Sequence, residues 1–173
     1  ANEIAKRLNN VVEMIITFIN IGHYYYLIDN INLAMENFDN AILLSNKKGL
    51  PTDIIFDGYY NGGVVNIEIG NYDKAIEYIN VALELVSNNR HDPYYTASLI
   101  NLGSTYVKKA LTAGNNEDYD RALEYFNQAL TAAEQVGNES FQVAVLNNIG
   151  SLKAHLEENL DALYYLNKAR NLA

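Results

Sequence analysis

Four asparagines stand in matching places along this chain. Asn20, Asn61, Asn101 and Asn148 each precede a glycine by two residues, at Gly22, Gly63, Gly103 and Gly150. A carboxamide offers one acceptor and two donors, so a row of amides can engage both the C=O and the N–H of an extended peptide without reading its side chains. Asn makes up about one residue in seven of the chain. At that frequency, four of four at one chosen register has a chance on the order of a few in ten thousand, or about one per cent after a search over ~34 repeat positions. Coincidence is disfavoured, and two uses of the row remain: amides offered to a ligand backbone, or amides that satisfy backbone groups between neighbouring elements.

No constellation of catalytic residues competes with this row. His23, His91 and His155 lie far apart, and the chain has no HExxH pair, no cysteine, no glycine-rich phosphate loop and no nucleophile elbow. Carboxylate pairs such as Glu157 with Glu158, or Asp118 with Asp120, fall at expected helix ends and turns, where a solvated face explains them better than acid/base work. The expectation is a chain that is not an enzyme and carries no metal or cofactor. A formal charge of -9 with a pI near 4.7 repels phosphates, which argues against nucleic acid as a partner. The longest apolar stretch, residues 11–19, is interrupted by Glu13 and is too short to span a bilayer. The absence of cysteine fits a reducing, cytoplasmic setting.

The glycines that set the register stand inside helical patterns, where Gly costs about 1 kcal/mol against Ala. Four such costs call for a common cause, and the neighbouring small residues supply one. Ala34, Ala75, Ala122 and Ala162 recur after the glycines, and seven residues later come Ala41, Ala82, Ala129 and Ala169. Bulky residues recur with them, as Phe38, Ile79, Phe126 and Leu166 and as Phe18, Tyr59, Leu99 and Leu146. The whole pattern repeats about every 40 residues.

This pattern resembles the tetratricopeptide repeat (TPR), in which one Gly and two Ala let two antiparallel helices approach closely. The resemblance implies an all-α fold, a right-handed superhelical solenoid of antiparallel helix pairs. Repeats are expected at 15–50, 52–91, 93–138 and 140–173, the third carrying seven extra residues that lengthen its first helix and place a turn at 114–118. Two repeats depart from the family at an aromatic position, with Asn66 and Lys153. Residues 1–10 read as the remnant of a preceding repeat helix, because Ala1 precedes Gly22 by the interval that separates Ala82 from Gly103. Asp92 followed by Pro93 reads as an N-cap with a first-turn proline, and Thr52 and Ser140 read as further caps.

In such arrays the first helices line a concave groove, and the asparagine row is similar to the ladder of kinesin light chains and of bacterial peptide-pheromone receptor regulators. The resemblance then implies a peptide site made of Asn20, His23, Tyr26, Tyr60, Asn61, Val64, Ile100, Asn101, Ser104, Lys108, Asn147, Asn148 and Ser151. Ile16, Ile19, Asp57, Glu68, Val107 and His155 are expected beside them. Lys108 is the one formally basic residue of this set, which does not match the Lys and Arg clamp of the chaperone-binding members. The function implied is a protein- or peptide-binding domain, with a neutral or basic polypeptide as partner. The alternative is the peptide-sensing effector domain of a bacterial transcriptional regulator or response-regulator inhibitor. Self-association through exposed end helices is a third expectation.

Overall fold

The computed structural model describes residues 2–47 and 49–173, the side chains of residues 2–5 excepted, so the reading placed on Ala1 lies outside the described residues. Among the described residues there are eight α-helices and no strand. They are α1 (Asn2–Leu27), α2 (Ile31–Ser45), α3 (Thr52–Glu68), α4 (Tyr72–Val86), α5 (Pro93–Ala113), α6 (Asn116–Gln135), α7 (Glu139–His155) and α8 (Asn159–Leu172). Two compact units divide the chain at residues 85 and 86. The first holds α1 to α4 and the second α5 to α8.

The small residues do in the fold what their spacing implies. A Cβ built on Gly22 would lie 2.9 Å from the Phe38 ring, on Gly63 2.5 Å from Ile79 Cγ1, on Gly103 2.6 Å from the Phe126 ring and on Gly150 2.7 Å from Leu166 Cγ. Each first helix thus gives up a side chain so that a bulky residue of its second helix can seat against bare backbone. Ala34, Ala41, Ala75, Ala82, Ala122 and Ala129 are all fully buried. In the first unit Ile15, Phe38, Leu50 and Val65 join Ala34 and Ala41 in one cluster. Leu99, Leu102, Phe126, Val145, Leu146 and Ile149 are among the buried apolar residues of the second.

Several helix ends differ from the sequence reading. α1 runs unbroken for 26 residues, so residues 2–10, expected in a separate short helix, are the first part of the same helix; no Gly or Pro interrupts the chain before Gly22 to end it. Asp92 caps α5 as expected, its carboxylate accepting from the Tyr94 N–H at 2.9 Å. Thr52 is the first residue of α3 and follows Pro51, which gives no side-chain cap. The cap of α7 is Asn138, whose Oδ1 accepts from the Phe141 N–H at 3.0 Å, with Ser140 already inside the first turn. The turn expected at 114–118 shrinks to Gly114, at φ 68°, and the cap Asn115. Glu117 and Asp118 instead enter the first turn of α6, where carboxylates favour the positive end of the helix dipole. The seven extra residues therefore go into longer helices, with 21 residues in α5 and 20 in α6.

Candidate functional site

In the first unit the residues singled out lie on α1 and α3, which pack together. Tyr26, near the end of α1, donates from its hydroxyl to Glu68 Oε1 of α3 at 2.6 Å. That bond to a carboxylate, then partial burial, then the Glu68 charge push the phenol up from its ordinary value. Asp57 is also raised, first by burial and then by the neighbouring charge of Asp53, with His23 of α1 acting in the opposite direction. His23 is exposed, and its ring meets the Phe38 ring edge-on at 5.4 Å. Asn20 is exposed, and Val64 is half-buried. Tyr60 stacks on Phe56 at 5.2 Å with a 20° tilt. Asn61 spends one amide proton locally, donating from Nδ2 to the Asp57 carbonyl one turn back at 2.7 Å; a second N–H and the amide oxygen remain. Ile19, expected beside the groove, is 6% exposed and belongs to the core cluster instead.

In the second unit α5 packs against both α6 and α7 and a cleft of about 330 Å³ opens along them. Ser104, Val107, Lys108 and Leu111 supply one wall from α5. Their spacing of three and four residues puts them on one helical stripe. Asn148, Ser151, Leu152 and His155 form the wall from α7, and Phe126 of α6 also contributes. Four of the expected site residues, Ser104, Lys108, Asn148 and Ser151, therefore meet at one cleft. Ile100, Asn101 and Asn147 do not line it. The first two are half-buried and the third is exposed, and the Asn101 carbonyl accepts from Thr105 Oγ1 at 2.6 Å.

His155 is held from the side by Tyr119 of α6. The phenol oxygen lies 2.8 Å from His155 Nε2, and the ring centroids are 5.3 Å apart. Tyr119 is 6% exposed, so its hydroxyl bonds the edge of the cleft from a buried position. Sequence reasoning missed Leu111, Phe126 and Leu152 as cleft walls. In the sequence Phe126 shows only as a recurring bulky residue, and in the fold it also seats against Gly103; Leu111 lies in the extra segment. The signal that could have found Leu111 was its place three residues after Lys108 on the Ser104 stripe. Among the described residues, no group of three His, Asp or Glu side chains is placed to hold a metal ion. Among the same residues, no helix is long and apolar enough to cross a membrane.

Comparison with known proteins gives a consistent result. Family models described as tetratricopeptide repeat match residues 104–173 and residues 56–89. The chain is 30% identical over 91 residues to an Hsp70-Hsp90 organising protein of Plasmodium falciparum, a match that covers 53% of this chain and 14% of that protein. Among solved structures, MamA superposes with a TM-score of 0.68 at 20% identity, over 99% of this chain and 83% of that one. The apo form of RapI gives 0.80 at 21% identity, over 94% of this chain and 56% of the other. BtubC from P. vanneervenii gives 0.75 at 19% identity, over 98% and 68%. At these identities the structural likenesses are likenesses of fold.

Proposed function

The chain belongs to the tetratricopeptide-repeat family, and from that premise we propose that it is a non-catalytic domain that binds an extended segment of another polypeptide. The first helices of the repeats carry the contact surface: α1 and α3 in the first unit, α5 and α7 in the second. The observation that carries this reading is the cleft of the second unit, where Ser104, Lys108, Asn148 and Ser151 converge on apolar walls. A few placed polar groups on an apolar concavity are the general make-up of a ligand site. In this reading the asparagine row addresses the peptide backbone and the walls select side chains. Around the first unit, Asp57 and Glu68 favour a neutral or basic segment.

The test is calorimetric titration of the Asn101→Ala/Asn148→Ala double variant against peptides selected from a library on the unmodified domain. A net hydrogen bond contributes about 0.5–1.5 kcal/mol, so losing several should weaken every selected peptide by roughly ten- to a hundredfold. Unchanged affinities in a folded double variant would assign the asparagines to scaffolding between repeats.

A second reading, self-association, is favoured by one observation. On α8, Leu160 is 85% exposed, Leu163 57% and Tyr164 63%, an apolar grouping of the kind that marks interaction surfaces. If it pairs two copies, Leu163→Lys should shift sedimentation of the chain towards monomer; a chain already monomeric at high concentration would exclude this.

A further inference from the structure

A second concavity of the second unit, of about 290 Å³, lies apart from the groove helices' cleft and shares no residue with it. Arg90 and Tyr95, from the segment that leads into α5 and its first turn, form one side, and Asn127, Gln128, Thr131 and Gln135 of α6 form the other. All of them belong to the second unit. Spacings of three and four residues put the α6 set on one stripe of that helix. Thr131 spends its hydroxyl proton on the Asn127 carbonyl at 2.9 Å, but Arg90, Gln128 and Gln135 make no side-chain hydrogen bond or ion pair among the described residues. No carboxylate lines the concavity. An uncommitted guanidinium presents a planar fork of donors that meets a carboxylate at two points. Each carboxamide adds two donors and an acceptor, and the Tyr95 ring adds an apolar face. Such a lining suits a small polar molecule more than a stretch of hydrocarbon.

The charges around the concavity decide which molecule fits. Asp92 stands two residues after Arg90 and caps α5 through the Tyr94 N–H. Glu124 is exposed and lies one turn before Asn127 and Gln128 on the same stripe of α6. Glu134 pairs with Lys168 of α8 at 3.2 Å. A dianion such as a phosphate monoester would be repelled by this acidic rim, whereas a zwitterion brings one charge for Arg90 and the opposite charge for the rim. We propose that this outer concavity is a site for a free α-amino acid with an aromatic side chain. Its carboxylate lies on the Arg90 fork, its ammonium faces the amide oxygens of Asn127 and Gln128 on the Glu124 side, and its ring packs against Tyr95. The net charge of such a ligand is zero, so the -9 of the chain neither draws it in nor keeps it out. This site is independent of the groove, and either can be present without the other.

Four probes test this: L-phenylalanine, L-phenylalaninamide, N-acetyl-L-phenylalanine and phenyl phosphate, each titrated into the full chain near neutral pH while amide NMR signals are followed. L-phenylalanine should move the signals of Asn127, Gln128, Thr131 and Gln135 with an affinity on the order of millimolar, the range open to a ligand of so few atoms. Removing its carboxylate, in the amide, should weaken binding about fivefold, the worth of one well-placed exposed ion pair. Removing its ammonium, in the N-acetyl compound, should weaken binding as well, and phenyl phosphate should bind more weakly than L-phenylalanine. Arg90→Gln, at an exposed position, should bring L-phenylalanine down to the level of its amide, leave the amide unchanged and leave the melting temperature of the chain unaltered. Arg90→Lys should restore only part of the difference, because an ammonium has no fork. Equal affinity for L-phenylalanine and its amide, or an affinity indifferent to Arg90→Gln, overturns the role of Arg90. Tighter binding of phenyl phosphate or of the N-acetyl compound overturns the zwitterion, and a titration that leaves all four α6 signals in place overturns the site.

Discussion

At the scale of single residues, the fold depends on side chains that are missing. Gly103 allows the Phe126 ring to lie where a Cβ would come within 2.6 Å of it, and a ring wedged in a core cannot move aside cheaply. Gly103→Ala should therefore destabilise the chain by about 1–3 kcal/mol, although in an exposed helix the same change would stabilise it. Chemical denaturation checks this; a neutral effect would mean that the ring has room to shift. Asp57 offers a prediction of the opposite sign. Its folded carboxyl is raised by burial and by Asp53, so the folded chain holds the proton more tightly than the unfolded chain does. The stability linked to this group is complete below the unfolded value of about 3.9 and is lost as pH rises through the folded value. Asp57→Asn should consequently melt at a higher temperature than the unmodified chain near neutral pH, with the gap closing as pH falls towards the ordinary carboxylate range. A gap that stays constant across a pH series of melting curves would remove the charge as its cause.

At the scale of helices, stability resides in close approach and in caps. Ala129 is fully buried, so Ala129→Leu should overpack α6 and cost about 1–3 kcal/mol. Asn138→Ala should cost about 1 kcal/mol through loss of the α7 cap, and both are measured by urea unfolding. The contrast between these two positions explains what was legible in the sequence. Ala129 could be read because helix-to-helix approach demands small residues at a fixed period, and a period survives any uncertainty about helix ends. The cap of α7 could not be placed to the residue, since Asn138 and Ser140 are both competent N-caps and the choice is made by where the preceding helix stops. The full length of α1 was hidden for a similar reason: an interval between repeats gives spacing but says nothing about continuity. Two thirds of the cleft lining in the second unit was legible, because Ser104, Val107, Lys108, Asn148, Ser151 and His155 follow the register of the glycines. Phe126, Leu111 and Leu152 were not, because a residue that packs with one face and lines a cleft with another shows only its packing in the pattern. Lys108 and His155 were visible as residues, but that no carboxylate lines the cleft with them is a property of three helices together.

At the scale of the whole chain, charge is the quantity the sequence states most plainly, and its effect on stability can be separated from that of individual ion pairs. With 21 acidic against 12 basic residues, the folded chain confines negative charges that the unfolded chain spreads apart. Ion pairs that oppose this repulsion, such as Lys74 with Asp39 at 2.8 Å, Lys153 with Glu158 at 2.6 Å and Lys168 with Glu134 at 3.2 Å, retain solvent exposure. Pairs of that kind contribute about 0–1 kcal/mol each and weaken as salt is added. Raising salt from about 0.01 M to about 1 M shortens the screening length from about 30 Å to about 3 Å. Over that range the long-range repulsion should fade more completely than pairs in direct contact. The melting temperature should therefore rise with sodium chloride, and most of the rise should come at the low end of the range, where the screening length still exceeds the spacing between neighbouring helices of about 8–10 Å. A melting temperature that falls steadily with salt would mean that the contact pairs outweigh the net charge, and that Lys74 and Lys168 do more to hold their units together than their exposure implies.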